Sequence, residues 1–128
     1  MSVGDVEKYL GSTIANLGFT LDRVDDSITY GERPAWAVYY RAPDCKLQVC
    51  WSAREGGVDF MLASIEAADE FGLASRSKGW EYMLMLSSSD DGLQTPSLEA
   101  SEEVWWGWRK ALLLAHIDEA RTVLSLGR

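Results

Sequence analysis

The sequence predicts an α+β fold: an antiparallel meander sheet of four or five strands, packed on one face by an N-terminal helix and a long C-terminal helix. Three observations carry this. Between Trp36 and Ala63 three β-type runs lie end to end, 36–41, 45–52 and 58–63, separated by Pro43-Asp44 and by Glu55-Gly56-Gly57. In the second, Cys45, Leu47, Val49 and Trp51 alternate with Lys46, Gln48, Cys50 and Ser52; in the third, Val58, Phe60 and Leu62 alternate with Asp59, Met61 and Ala63. Period-two alternation bounded by turn residues marks strands with one buried face. The flanking segments switch to helical spacing, which places a helix at each end of the meander.

Over residues 3–17, Val6, Tyr9, Leu10, Ile14 and Leu17 recur three and four apart, and Gly18 supplies a stop. Ser27 to Gly31 is a short candidate first strand preceded by an acidic turn, Asp22 to Asp26, and Gly31-Glu32-Arg33-Pro34 reads as a turn. The meander then buries Trp36, Val38, Tyr40, Leu47, Val49, Trp51, Val58, Phe60 and Leu62, and its other, polar face is expected to meet solvent. Residues 65–71 read as a short helical turn and 73–79 as irregular. In 80–86, Trp80, Tyr82, Leu84 and Leu86 alternate; strand is favoured over helix. Ser87 to Gly92 is a solvated loop. The last helix is expected to start with Thr95 as N-cap and Pro96 at its first position and to run to about Leu126.

Composition bounds the function. The 128 residues, 47% hydrophobic and 25% charged, suit one globular domain spanning 1–128. No apolar run approaches the ~20 residues a membrane helix needs, and the acidic, interrupted start does not read as a secretory signal, so cytoplasmic residence is the expectation. With 20 acids against 12 bases the net charge is −8, which opposes phosphate backbones and anionic membranes and speeds encounter with a basic protein. The expected partner is therefore a protein or a second copy, with no nucleic acid and no membrane. Cys45 and Cys50 lie five apart on one strand, so their Cα atoms are ~16 Å apart, beyond disulfide reach. Cys45 falls with the apolar set; Cys50 falls on the polar face, where it would be accessible.

No phosphate-binding loop, dinucleotide fingerprint or zinc spacing occurs. His116 is the single histidine, expected to hydrogen-bond Glu102 or another acid, and Asp90-Asp91-Gly92 lacks the further oxygen ligands of a calcium loop. No catalytic residue, metal or cofactor is implied. What stands out is the tryptophan-rich terminal helix, which carries two apolar stripes at about 100° per residue. One holds Val104, Trp105, Trp108, Ala111, Leu112 and Ala115, the other Trp106, Leu113, Ile117, Ala120 and Leu124, with Glu102, Arg109 and His116 on a line between them. A surface helix needs one stripe. Either the helix packs on the sheet with one and on the N-terminal helix with the other, or Trp106, Arg109, Leu113 and Ile117 form a partner or dimer interface.

The helix, Leu17-Gly18-Phe19, the meander with its hairpin from Trp51 to Asp59, and the terminal helix follow one another in an order that resembles small acidic α+β proteins of bacteria, among them toxin-neutralising immunity proteins. That resemblance covers about the first half of the chain and implies a non-enzymatic inhibitor for a basic partner. The charge, the missing catalytic constellation and the surplus stripe point to the same class, a protein-binding module. Two other readings stand beside it. One is a small-ligand-binding domain or enzyme on the polar sheet face, using Tyr39, Arg41, Gln48, Cys50 and Asp59; the other is a self-associating structural protein.

Overall fold

The computed structural model describes residues 1–74 and 78–127. Helix α1 (Gly4–Asn16) leads into the strands β1 (Thr20–Tyr30), β2 (Arg33–Arg41), β3 (Lys46–Ser52), β4 (Val58–Ala63) and β5 (Glu81–Tyr82), then the single turn α2 (Met83–Leu86) and the long helix α3 (Glu102–Ser125). The five strands form one antiparallel sheet in chain order. The α+β class and the two packed helices are as the sequence predicts.

Helix α1 ends where Gly18 takes φ +92°. Its amide donates to Ala15 O at 3.0 Å and that of Phe19 to Ile14 O at 3.3 Å, the paired bonds of a Schellman stop, which a side chain at Gly18 would strain. The central register matches the alternation: Trp36 faces Trp51, Val38 faces Val49 and Tyr40 faces Leu47, while Val49 faces Phe60 and Leu47 faces Leu62. These side chains join Val6, Leu10 and Ile14 of α1 and Trp106, Leu113, Ile117 and Ala120 of α3 in the main core. Arg121 holds the far end of α3, gripping Asp44 through Nε and Nη2 at 2.9 and 2.6 Å and donating to Leu17 O at 2.7 Å.

Several boundaries differ from the sequence reading. Strand β1 begins at Thr20, so the acidic stretch is strand rather than turn. Two register shifts, at 21–23 and 25–28, break its alternation and hide it from a period-two search. The turn into β2 is the two residues Gly31 and Glu32, with φ +60° and +64°. Residues 65–71 form turns without a helix, and 80–86 divides into the two-residue strand β5 and the turn α2. Thr95 and Pro96 lie outside any helix. Helix α3 starts at Glu102 because Ser101 caps it, its hydroxyl accepting from Val104 N at 3.3 Å. Of the irregular stretch expected over 73–79, residues 75–77 fall outside the described residues.

The largest departure concerns the second face of the sheet. It is covered, not solvated: Ala37, Tyr39, Cys50, Met61 and Ala63 form a second core with Leu73 and Trp80. The cover, residues 64–74 with Trp80, has no regular secondary structure and satisfies only some of its peptide groups itself, through Ala67 N to Ser64 O, Glu70 N to Ala68 O and Ala74 N to Phe71 O. Polar side chains of the sheet hold several of the others. Lys46 Nζ donates to Ala67 O at 2.7 Å and pairs with Asp69, and Arg41 Nη1 donates to Ile65 O at 3.2 Å. Gln48 donates to Glu70 O and accepts from Gly72 N, both at 3.0 Å, and Trp80 Nε1 donates to Ala68 O at 2.9 Å.

Candidate functional site

The residues expected to line a ligand site on that face are thereby accounted for structurally. Tyr39, Gln48 and Cys50 are fully buried under the cover, with Arg41 at its exposed margin, where it also meets Asp22 at 3.7 Å. Cys50 is not accessible: burial raises its thiol well above the ordinary value and leaves it inert. Cys45 is likewise buried and pushed up to about 12, chiefly by desolvation, and neither cysteine is bridged. Asp59 pairs with Cys50 across β3 and β4, its carbonyl accepting from the thiol at 3.7 Å, and its other side borders a hollow beside α2.

Of the four residues expected to meet a partner, Trp106, Leu113 and Ile117 are at most 1% exposed. Trp106 stacks flat on Tyr9, ring centroids 5.6 Å apart, so this stripe joins α3 to the sheet and to α1. The other stripe faces outward. Val104 is half exposed, Trp105 and Trp108 are partly so, and Leu112, also partly exposed, packs its inner side against the main core. Trp105 and Trp108 meet edge to face, at 5.7 Å and 90°, beside a hollow of about 530 Å³. Met1, Leu98 and the hairpin residues Glu55 to Val58 form its other wall, and Glu55, Glu102, Arg109 and the Met1 ammonium contribute its charges. The Glu102 carboxylate lies 3.5 Å from the Met1 ammonium. A second hollow, about 190 Å³, continues from Val58 between Asp59, Phe60 and Leu112 on one side and Tyr82, Leu84 and Met85 on the other. Leu84 and Met85 are 50% and 68% exposed, and Tyr82 43%. The two hollows share Val58 and together form an apolar band between α3, α2 and the edge of β4, with Glu55, Asp59 and Glu102 along it.

Two charges of the band, Arg109 and Asp59, are poorly solvated. Arg109 is 6% exposed, its guanidinium lying 4.6 Å from the Trp106 ring centre and 5.6 Å from that of Trp105. Among the described residues nothing accepts a hydrogen bond from its Nε or Nη1, nor from Trp108 Nε1. Desolvation lowers the Arg109 pKa, and Glu102 works against that shift. The Asp59 carboxyl is held above its usual range, first by burial and then by Glu55. Below its unfolded value of about 3.9 it is protonated in both states and costs nothing; as pH rises through the raised folded value, stability is lost. Replacing Asp59 with Asn should therefore raise the urea midpoint at pH 7 and leave it unchanged at pH 3.

A catalytic constellation was not visible in the sequence, yet three of its residue types meet. Ser87 Oγ lies 2.7 Å from His116 Nδ1, and His116 Nε2 lies 2.5 Å from Asp91 Oδ2. A carboxylate only accepts, so Nε2 carries a proton, and in the neutral ring Nδ1 accepts from Ser87. A nucleophile must be reachable, however, and Ser87 is 2% exposed and lines neither hollow. The arrangement instead ties the 87–93 loop to α3. Glu119 adds to it, accepting from Ser88 N at 3.1 Å and from the Ser89 hydroxyl. His116 thus has the acid partner the sequence suggests, in Asp91 rather than Glu102.

Asp91 and Glu119 are both held below their ordinary values, Asp91 first by the Leu93 amide and then by His116, and Glu119 first by Ser89. Their stabilisation is complete above the unfolded carboxylate range, about pH 4, and is lost as pH falls through the depressed values. Amide protection in 87–93, taken relative to the intrinsic exchange rate at each pH, should fall on acidification before that of β2 and β3, and Asp91→Asn should flatten this dependence; uniform loss of protection in loop and sheet would contradict the tie. Among the described residues no three histidine, cysteine or carboxylate side chains converge as metal ligands, and no helix is long and apolar enough to cross a membrane. No family model matches the chain, and no curated protein or solved structure shows significant similarity to it.

Proposed function

We propose that this chain is a non-enzymatic binding module whose partner is a basic protein, docked on the band between α3, α2 and β4. The observation that carries this reading is the outward stripe of α3. Trp105, Trp108 and Leu112 adjoin the exposed Leu84 and Met85 across two hollows, where an ordinary surface helix would show polar residues. Tryptophan in a partly desolvated setting is a favoured binding anchor. Charge selects the occupant. Glu55, Asp59 and Glu102 outnumber Arg109 and the Met1 ammonium on the band, and with a net charge of −8 they favour a basic surface; an inhibitor of the immunity type is the role that fits. A second copy fits less well, since it would bring an equally acidic band and the same charge of −8 to the contact. Light scattering should therefore give the mass of a monomer.

The test is capture from an extract of the protein's own cells, with the captured species identified and then purified. A basic protein should be retained by the unaltered chain, released as salt rises, and lost with Met85→Asp. Leu21→Asp, on the opposite edge strand β1, should leave capture unchanged. Capture indifferent to Met85→Asp, or a captured acidic protein, would overturn the reading.

A further inference from the structure

The smaller hollow holds a charge with nothing to answer it. Asp59 lines it, partly buried, and among the described residues no donor bonds its carboxylate and no base pairs with it. Neither carboxylate oxygen is sealed from solvent, so a ligand can reach both. The Tyr82 phenol, on β5, is raised first by burial and then by this carboxylate, which puts the carboxylate on the β5 side of β4, where the hollow lies. No basic residue lines the hollow, and the charge acting on Asp59, that of Glu55, has the same sign. A partly desolvated carboxylate without a partner is costly, and a ligand cation would offset the cost.

The rest of the lining selects among cations. A metal ion would find one carboxylate and no further ligands among the described residues. Of the lining side chains only Asp59 and Tyr82 carry oxygen; Phe60, Leu84, Met85 and Leu112 are among the apolar ones. A guanidinium brings five donors to those two acceptor groups and leaves most of them against apolar walls, whereas an ammonium brings three, one of which can keep water. The methylene stem behind an ammonium suits walls of this kind. At about 190 Å³ the hollow is smaller than the pockets that enclose drug-sized ligands and admits one long side chain. Resting on the docking reading above, we infer that it seats a lysine side chain of the basic partner, the ammonium between Asp59 and Tyr82 and the stem on Leu84, Met85 and Leu112. The carboxyl that burdens the free chain at pH 7 is then the group that recognises the partner.

Three capped amino acids test this, titrated into the full chain: acetyl-lysine methylamide, its Nε-acetyl form, which keeps the stem and loses the charge, and acetyl-arginine methylamide. The readouts are the methyl resonances of Leu84 and Met85 and the ring resonances of Tyr82. The lysine compound should shift them saturably with millimolar affinity. Its Nε-acetyl form should bind about tenfold more weakly or worse, the usual worth of a hydrogen bond to a charged group, and the arginine compound should be the weaker of the two charged ones. Asp59→Asn should abolish the saturable shift while raising the urea midpoint at pH 7, so the loss is not one of folding. Equal binding of the lysine and Nε-acetyl compounds, tighter binding of arginine, binding unchanged by Asp59→Asn, or no saturable shift at tens of millimolar would each overturn the inference. The two readings fail separately. Capture of the basic protein that is lost with Met85→Asp but unchanged by Asp59→Asn retains the docking face and removes the lysine seat. Binding of the lysine compound through Asp59, with capture indifferent to both substitutions, leaves the seat and removes the docking reading.

Discussion

Replacing Trp106 with alanine should destabilise the protein by about 3–5 kcal/mol, the cost of truncating a fully buried aromatic whose site cannot collapse. Trp106 is 1% exposed and stacks in parallel on Tyr9, and the Arg109 guanidinium lies over its ring. The ring fills the space between α1 and the first turns of α3, so its loss opens a cavity at the joint of two helices and deprives Arg109 of one of its two ring faces. Urea denaturation at pH 7 measures the effect. Trp105→Ala, on the outward stripe, should cost much less, about 1 kcal/mol. If the two substitutions cost the same, or Trp105 the more, α3 is rotated from the orientation described.

Lys46→Ala should cost about 2–4 kcal/mol, by a different route. Lys46 is 2% exposed, yet its ammonium pairs with Asp69, donates to Ala67 O and lies 5.8 Å from the Trp80 ring. Removing one partner of a buried pair strands the other; here Asp69 is 21% exposed and recovers some water, which sets the value below the usual extreme. The loss should be regional. Amide exchange should accelerate over 64–74, whose Ile65, Ala67 and Glu70 carbonyls and Gly72 amide are held by Arg41, Lys46 and Gln48, while the β2–β3 ladder keeps its protection. Acceleration of sheet and cover together would mean that the second core is not a separate layer.

These two residues show what the sequence makes legible and what it does not. The inward face of the meander was readable because one apolar residue in two along β2, β3 and β4 writes the buried side directly, as Val38, Val49 and Phe60 do. Lys46 and Gln48 were misassigned to solvent because the same alternation cannot distinguish water from the peptide groups of an irregular cover. Both ask for hydrogen-bonding side chains. The acidic residues of β1 hid a strand for a related reason, since an edge strand with two bulges keeps neither period nor apolarity. On α3 the spacing disclosed two stripes but not which faced inward. Trp106, Leu113 and Ile117 and their counterparts Trp105, Trp108 and Leu112 are equally apolar, and the choice was made by contacts with Tyr9 and the sheet, remote in sequence. The Ser87–His116–Asp91 tie is likewise assembled across 25 to 29 positions and leaves no local spacing to find.

The central proposal is that binding occurs on the outward stripe of α3 and not on the polar face of the sheet. Once a basic partner has been captured and purified, hydrogen exchange of the free and bound chain measures this directly. Protection should be gained over 55–60, 82–85 and 98–112, with β1 and the 64–74 cover unchanged. Protection confined to β1 or to that cover, with the band exchanging as in the free chain, would contradict it.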